Sequence, residues 1–140
     1  MFEAFCREKL GPLVLRLALG LTCVYHGFLK IMAAGGTAWS PGLGVGWQLL
    51  IAWTEFGAGL AILAGLYCRL AALAMLAVTA GTWVWWQGWG LFTLPLATLE
   101  PFLVLVLAGL ALLLLGAGEL SLDGRGGGRG TGLRLNRKRA

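Results

Sequence analysis

The sequence predicts an all-α membrane protein, a four-transmembrane-helix antiparallel bundle with its N and C termini on the cytoplasmic side. Three observations lead there. Hydrophobic residues make up 59% of the chain and charged residues only 12%, against about 25% charged in a soluble domain. Four separate apolar runs each approach the ~20 residues that a helix needs to cross a hydrocarbon core. The basic residues fall almost entirely on one side of those runs.

The runs extend from about Leu13 to Ala33, Trp47 to Leu66, Leu70 to Trp89 and Leu99 to Ala117. They lack the alternation of a membrane barrel, and a lone strand in lipid leaves its backbone unpaired, so each is read as a helix. Gly35-Gly36 and Ser40-Pro41-Gly42 end the first. Tyr67 to Arg69 are a connection so short that helices two and three must be antiparallel neighbours. Gly88, Gly90 and Pro95 close the third, and Thr98 is the expected cap of the fourth, with Pro101 in its first turn. The first run is too long, and too interrupted by Arg16, His26 and Lys30, for the apolar part of a cleaved signal peptide. Residues 1–123 form the expected domain. Residues 124–140 are a basic tail rich in Gly and Arg, expected to be disordered or to lie on anionic lipid headgroups.

Orientation follows from charge. With the N-terminus inside, Arg7, Lys9, Arg16, Arg69 and the tail's Arg and Lys residues all lie on the cytoplasmic side, and only Lys30 lies toward the other. The outer loops, 34–46 and 90–98, carry no charge. Trp83, Trp85, Trp86 and Trp89, with Trp39 and Trp47 at a similar level, form the expected interfacial belt. The net charge of +5 resides largely in the tail, so the chain is not read as a nucleic-acid binder. Cys6, Cys23 and Cys68 form no C-x-x-C and no metal-ligand pattern, and one histidine excludes a bis-histidine haem within the chain. The cysteines are read as small packing residues.

Ionisable residues inside a membrane need a partner or a role. These are Arg16, His26, Lys30, Glu55 and Glu100. From the ~1.5 Å rise per residue, His26 and Glu55 lie roughly 10–12 Å below the outer end, with Lys30 and Glu100 nearer to it. Arg16 stands apart near the inner end, where its side chain can reach the headgroups. Arg16, Gly20, Cys23, Gly27 and Lys30 share one stripe of the first helix, with His26 at its edge, and Gln48, Glu55 and Gly59 share a face of the second. Small residues on these faces let backbones approach closely. Depth pairs His26 with Glu55, and Lys30 with Glu100. His26 and Glu55 are the candidate catalytic residues, and His26, Lys30, Glu55 and Glu100 are the candidate polar cluster for a cofactor. Each has a plainer reading as structural glue, and for Glu100 and Lys30 that reading is an interfacial ion pair.

The stretch Arg16-Leu-Ala-Leu-Gly20, continuing to His26-Gly27 and Lys30, resembles the first-helix pattern of the DoxX family. Glu55-Phe-Gly-Ala-Gly59, Leu63-Ala-Gly65 and Arg69-Leu-Ala-Ala resemble its second helix and turn, and Gly116-Ala-Gly118-Glu-Leu-Ser-Leu-Asp123 its signature after the fourth helix. The resemblance implies a four-helix bundle in a prokaryotic inner membrane. It also implies a place beside quinone-linked redox systems, in one branch as the small subunit of a quinol oxidase or a thiosulfate:quinone oxidoreductase. The expectation is a probable subunit of a quinone-linked membrane redox complex, non-autonomous if it takes part in catalysis. Its cofactor would be a quinone, and its partners the bilayer and other membrane or redox subunits. The alternatives are a non-catalytic assembly or scaffold subunit and, behind it, a small transporter.

Overall fold

The structure, a computed structural model, describes residues 9–36, 39–87 and 96–123, with the side chains of 35, 36, 87 and 96–98 left aside. Among the described residues it contains four α-helices: α1 (Gly11–Gly36), α2 (Val45–Ala64), α3 (Cys68–Gln87) and α4 (Leu96–Leu115). Consecutive helices pack side by side, α1 most extensively on α2, and α4 returns to touch α1. The result is the all-α bundle expected from the sequence. Gly11–Ala34, Val45–Ala64 and Cys68–Trp86 are each long and apolar enough to span a membrane. The apolar stretch Leu99–Leu115 of α4 is 17 residues long, at the lower limit of the ~17–25 residues that suffice.

The helix ends lie two or three residues from the sequence expectation, and backbone chemistry accounts for three of them. α2 stops at Ala64 because Gly65 adopts a left-handed conformation (φ 70°). The amides of Gly65 and Leu66 then bond back to the carbonyls of Ile62 and Ala61, at 3.1 and 2.9 Å, a Schellman-type ending. α3 begins at Cys68 because the Asp123 carboxylate accepts the amides of Tyr67 and Cys68, at 3.0 and 3.1 Å. α4 ends before Gly116, another left-handed glycine (φ 77°). At its other end α4 begins at Leu96, so Thr98 is not its cap and Pro101 lies inside the helix. There the ring removes one backbone hydrogen bond from the ladder. The Gly88, Gly90 and Pro95 stop, Trp89, Cys6 and the tail lie outside the described residues.

Arg16 departs most from expectation. It does not reach for the headgroups but is 2% exposed. Its Nε donates to Ile62 O at 2.9 Å and its Nη2 to Leu63 O at 2.7 Å. Its Nη1 donates to Ala117 O at 3.2 Å and to Leu120 O at 2.9 Å. Four of the five guanidinium N–H groups are thereby used. The carbonyls of Ile62 and Leu63 belong to the negative end of α2, and those of Ala117 and Leu120 follow the negative end of α4, where a cation is favoured.

From this end the α1–α2 contact rises along the small-residue stripe. A Cβ at Gly20 would lie 2.6 Å from Leu63 Cγ, one at Gly59 2.7 Å from Val24 N, and one at Gly27 2.5 Å from Phe56 N. The last two neighbours are backbone and cannot rotate away. Leu19, Cys23, Ile62, Ala72, Met75 and Leu112 fill the centre. Cys23 and Cys68 are both buried and free, as packing residues should be. The large exposed apolar residues, such as Val14, Leu21, Trp53, Leu73, Val104 and Leu114, are solvated by lipid in a bundle of this composition.

Gly27→Ala should therefore destabilise the bundle by about 1–3 kcal/mol, the usual range for overpacking. Gly57→Ala, where nothing lies within 4 Å of the added carbon, should be neutral or slightly stabilising through helix propensity. Reversible unfolding in mixed detergent measures both. Equal behaviour of the two variants would mean that α1 and α2 are not in backbone contact at Gly27.

Candidate functional site

At the end opposite Arg16, the helices diverge around a cavity of about 200 Å³. α1 contributes His26 and Lys30 and α2 contributes Glu55. α3 adds Thr79, Thr82 and Trp83, and α4 adds Pro101, Phe102 and Leu105. Three of the four candidate cluster residues thus share one cavity. Their pairing differs from the expectation. Lys30 Nζ donates to Glu55 Oε2 in a close ion pair, and no hydrogen bond joins His26 to Glu55. Glu100 is exposed and outside the cavity lining, and makes no ion pair among the described residues. The physical reason is the tightness of the glycine contacts. Gly27 seated on Phe56 brings the next turn of α1, which carries Lys30, against the neighbouring Glu55 of α2. His26, at the edge of the stripe, is rotated outward and is exposed.

The pair is enclosed on most sides. The Glu55 side chain is 7% exposed and that of Lys30 21%. The Lys30 ammonium also lies 5.3 Å from the centre of the Trp39 ring, close enough for a cation–π attraction. Above it, Gln48 holds the turn that carries Trp39 and Ser40. Its Nε2 donates to Ser40 O at 3.1 Å and to Leu43 O, and its Oε1 accepts from Ser40 N at 3.3 Å. Pro41 and Gly42 (φ 89°) are the central residues of that turn, closed by Leu43 N donating to Ser40 O at 3.2 Å, which is the geometry that favours Pro then Gly. Trp85 Nε1 donates to Ser40 Oγ at 3.1 Å and ties α3 to the same turn.

The expected tryptophan belt divides into two groups. Trp47, Trp85 and Trp86 are exposed, as interfacial anchors should be. Trp83 instead turns toward the cavity and stacks on Phe102 of α4, ring centres 4.3 Å apart and planes at 22°. Its Nε1, like that of Trp39, is buried without a hydrogen-bond partner among the described residues. Sequence reading missed the part played by Thr79, Thr82, Trp83 and Phe102. The available signal was the spacing of Thr79, Thr82 and Trp83, which puts two hydroxyls and an indole on one face of an apolar helix.

A family model described as DoxX matches residues 11–88, more than half of the chain. The chain belongs to the DoxX family. The match covers α1 to α3 and therefore Arg16, His26, Lys30, Glu55, Gly65 and Trp83. The DoxX-like signature 116–123 lies beyond the matched residues, yet it folds back on them through Arg16 and through Asp123, whose amide donates to Gly65 O at 3.0 Å. No curated protein and no solved structure matches the chain. Spanning helices and family together make this a multi-pass membrane protein of the DoxX family.

A buried ion pair is costly to break, because the surviving charge keeps its desolvation penalty and loses its partner. Glu55→Leu should lower stability by about 3–5 kcal/mol, and Lys30→Leu in the same chain should recover a large part of it. His26→Leu should recover none. A double-mutant cycle in detergent unfolding separates the cases. Rescue by His26→Leu, or additive losses for Lys30 and Glu55, would contradict the observed pairing.

Proposed function

We propose that the protein is a subunit of a quinone-linked membrane redox complex, with the cavity beside the Lys30–Glu55 pair as the site for the quinone ring. One observation carries the reading: a buried, titratable ion pair lines a cavity that also has an aromatic wall. The residues present suit such a ring. Lys30, the His26 imidazole and the Thr79 hydroxyl can present donors to carbonyl oxygens, while the Thr82 hydroxyl donates to Val78 O at 2.7 Å and offers only its lone pairs. The Trp83–Phe102 stack presents a flat apolar face. Trp83 Nε1 lacks an acceptor, and an unmet buried donor costs about 1–3 kcal/mol, so a group that brings acceptor oxygens is favoured nearby. The volume of about 200 Å³ is below the ~300–1,000 Å³ of pockets that enclose whole drug-sized ligands, so it suits a single ring without its chain.

A bound quinone would supply paired electron and proton chemistry, with electrons from a partner subunit. This chain's residues have narrower tasks. Lys30 holds a proton beside the cavity and can donate a hydrogen bond into it. Glu55 keeps that ammonium aimed, and His26, exposed at the cavity rim, can relay a proton. On this reading the proton-handling couple is Lys30 and Glu55, where the sequence suggested His26 and Glu55. The charge distribution supports both termini being cytoplasmic and, with the family, a prokaryotic inner membrane. The second reading, a non-catalytic assembly subunit, is favoured by one observation: Lys30 and Glu55 satisfy each other without a ligand.

Protein purified in mild detergent should carry extractable quinone, and Glu55→Gln should lower its occupancy by about tenfold, or ~1.4 kcal/mol. Wild-type protein without quinone, together with unchanged quinol oxidation by membranes carrying Glu55→Gln, would favour the assembly reading instead.

A further inference from the structure

Where the cavity opens between the described helices follows from the exposure of its walls. Glu55 on α2 is buried, and the lining residues of α3, Thr79, Thr82 and Trp83, are half-buried. The exposed lining residues are His26 on α1 and Pro101 on α4. The opening is therefore the seam between α1 and α4. Among the neighbouring helix pairs, this is also the one in least extensive contact.

The seam is closed at one end and open at the other. Toward Arg16 it is sealed by Leu19 of α1 and Leu112 of α4, which are 2% and 0% exposed, and by the Arg16 hydrogen bonds to Ala117 and Leu120. Following the same stripe of α1 outward, Thr22 is half-buried and His26 exposed; along α4, Leu105 and Phe102 are half-buried and Pro101 exposed. The two helices thus form a wedge that widens toward the cavity. His26 lies about 12 Å inside the Ala34 end of its span, at ~1.5 Å per residue, so the wedge faces hydrocarbon and not water. Leu29 on α1, one turn from His26, and Val104 on α4, one turn from Pro101, adjoin it and are exposed apolar residues. Pro101 leaves the α4 backbone one hydrogen bond short at the rim, where a small bend changes the width of the gap most.

We propose that the α1–α4 seam is a lateral portal: a ligand with a polar ring and a long apolar chain comes in from the bilayer, seats its ring by Lys30 and Glu55, and leaves its chain in lipid between His26 and Leu105. This rests on the quinone reading of the cavity and adds the route and the second half of the ligand. The cavity accommodates a ring only, and among the described residues its opening lies between His26 and Pro101, at hydrocarbon depth. A water-soluble ligand has no comparable route among the described residues.

The experiment compares full-length wild type with Leu105→Trp, which narrows the wedge, and Leu105→Ala, which widens it. Binding is measured in detergent with long-chain benzoquinone and naphthoquinone and with the same two rings lacking the chain. The portal requires Leu105→Trp to weaken the chain-bearing forms by at least about tenfold relative to the chain-free rings. Leu105→Ala should speed exchange of the chain-bearing form relative to the chain-free rings, which keeps the test decisive if the tryptophan variant does not fold. Equal loss of both forms in Leu105→Trp, or unchanged exchange in Leu105→Ala, would overturn the portal while leaving the ring site standing. A wild type that binds chain-free rings but not chain-bearing ones would also overturn it. A wild type that binds neither would remove the quinone reading itself, and the portal with it.

Discussion

A guanidinium buried among four backbone carbonyls joins α1 to the ends of α2 and α4. In lipid a charge at this depth is unfavourable unless it is well compensated, and this one is compensated by carbonyls at helix termini instead of a carboxylate. The terminal carbonyls of α2 need donors because no further turn follows to supply them, and the carbonyls just beyond α4 are in the same position. One residue meets both needs, and it can do so only where the two helices end at the same level. Gly65 makes room for it, since a Cβ there would lie 2.4 Å from Arg16 Nη2. The complementary arrangement sits beside it: Asp123 places a carboxylate at the N-terminus of α3, the pole that favours an anion.

This interaction sets the register on which the cavity depends. From Arg16 against Ile62 and Leu63, the α1–α2 contact proceeds through Gly20 against Leu63, Cys23 against Gly59 and Gly27 against Phe56. It arrives at Lys30 against Glu55. Each step is one turn of α1, and a slip of a single turn, about 5.4 Å, would separate the ion pair and leave two charges unpartnered in lipid. The glycines add closeness but little selectivity, because a small residue tolerates several registers. The polar contacts at the two ends exclude the alternatives, a role that buried polar groups can fill even where they add little net stability. The same geometry makes the α1–α4 seam converge at Arg16 and open beyond Thr22.

The fold was legible in the sequence to within about two residues at most ends, because span length and the Gly–Gly and Gly–Pro breaks are local signals. The stripe from Arg16 to Lys30 and the face shared by Gln48, Glu55 and Gly59 were also legible, since helical periodicity determines them. The pairing of Lys30 with Glu55 was not. Depth along an axis places residues at a level but does not give the rotation of one helix against another, and His26 and Lys30 differ mainly in rotation. Arg16 was misread for a related reason: an arginine near a helix end has water within reach, and only the meeting of two helix C-termini gives it a better set of acceptors. Trp83 looked like its neighbours Trp85 and Trp86 by composition, and only its contact with Phe102 distinguishes it.

The dependence of the bundle on Arg16 is tested most directly by its unfolding free energy in mixed detergent when Arg16 is replaced by Met, with Leu17→Met, on the exposed side of the same turn, as reference. Arg16→Met should lose about 3 kcal/mol or more, since it strands helix-end carbonyls in a dry site. Arg16→Lys should recover little, because a single ammonium has three donors and no planar fork with which to reach carbonyls on two sides. If Arg16→Met unfolds at the same free energy as Leu17→Met, or Arg16→Lys is fully restored, then the helix ends do not depend on this guanidinium and the register must be set elsewhere.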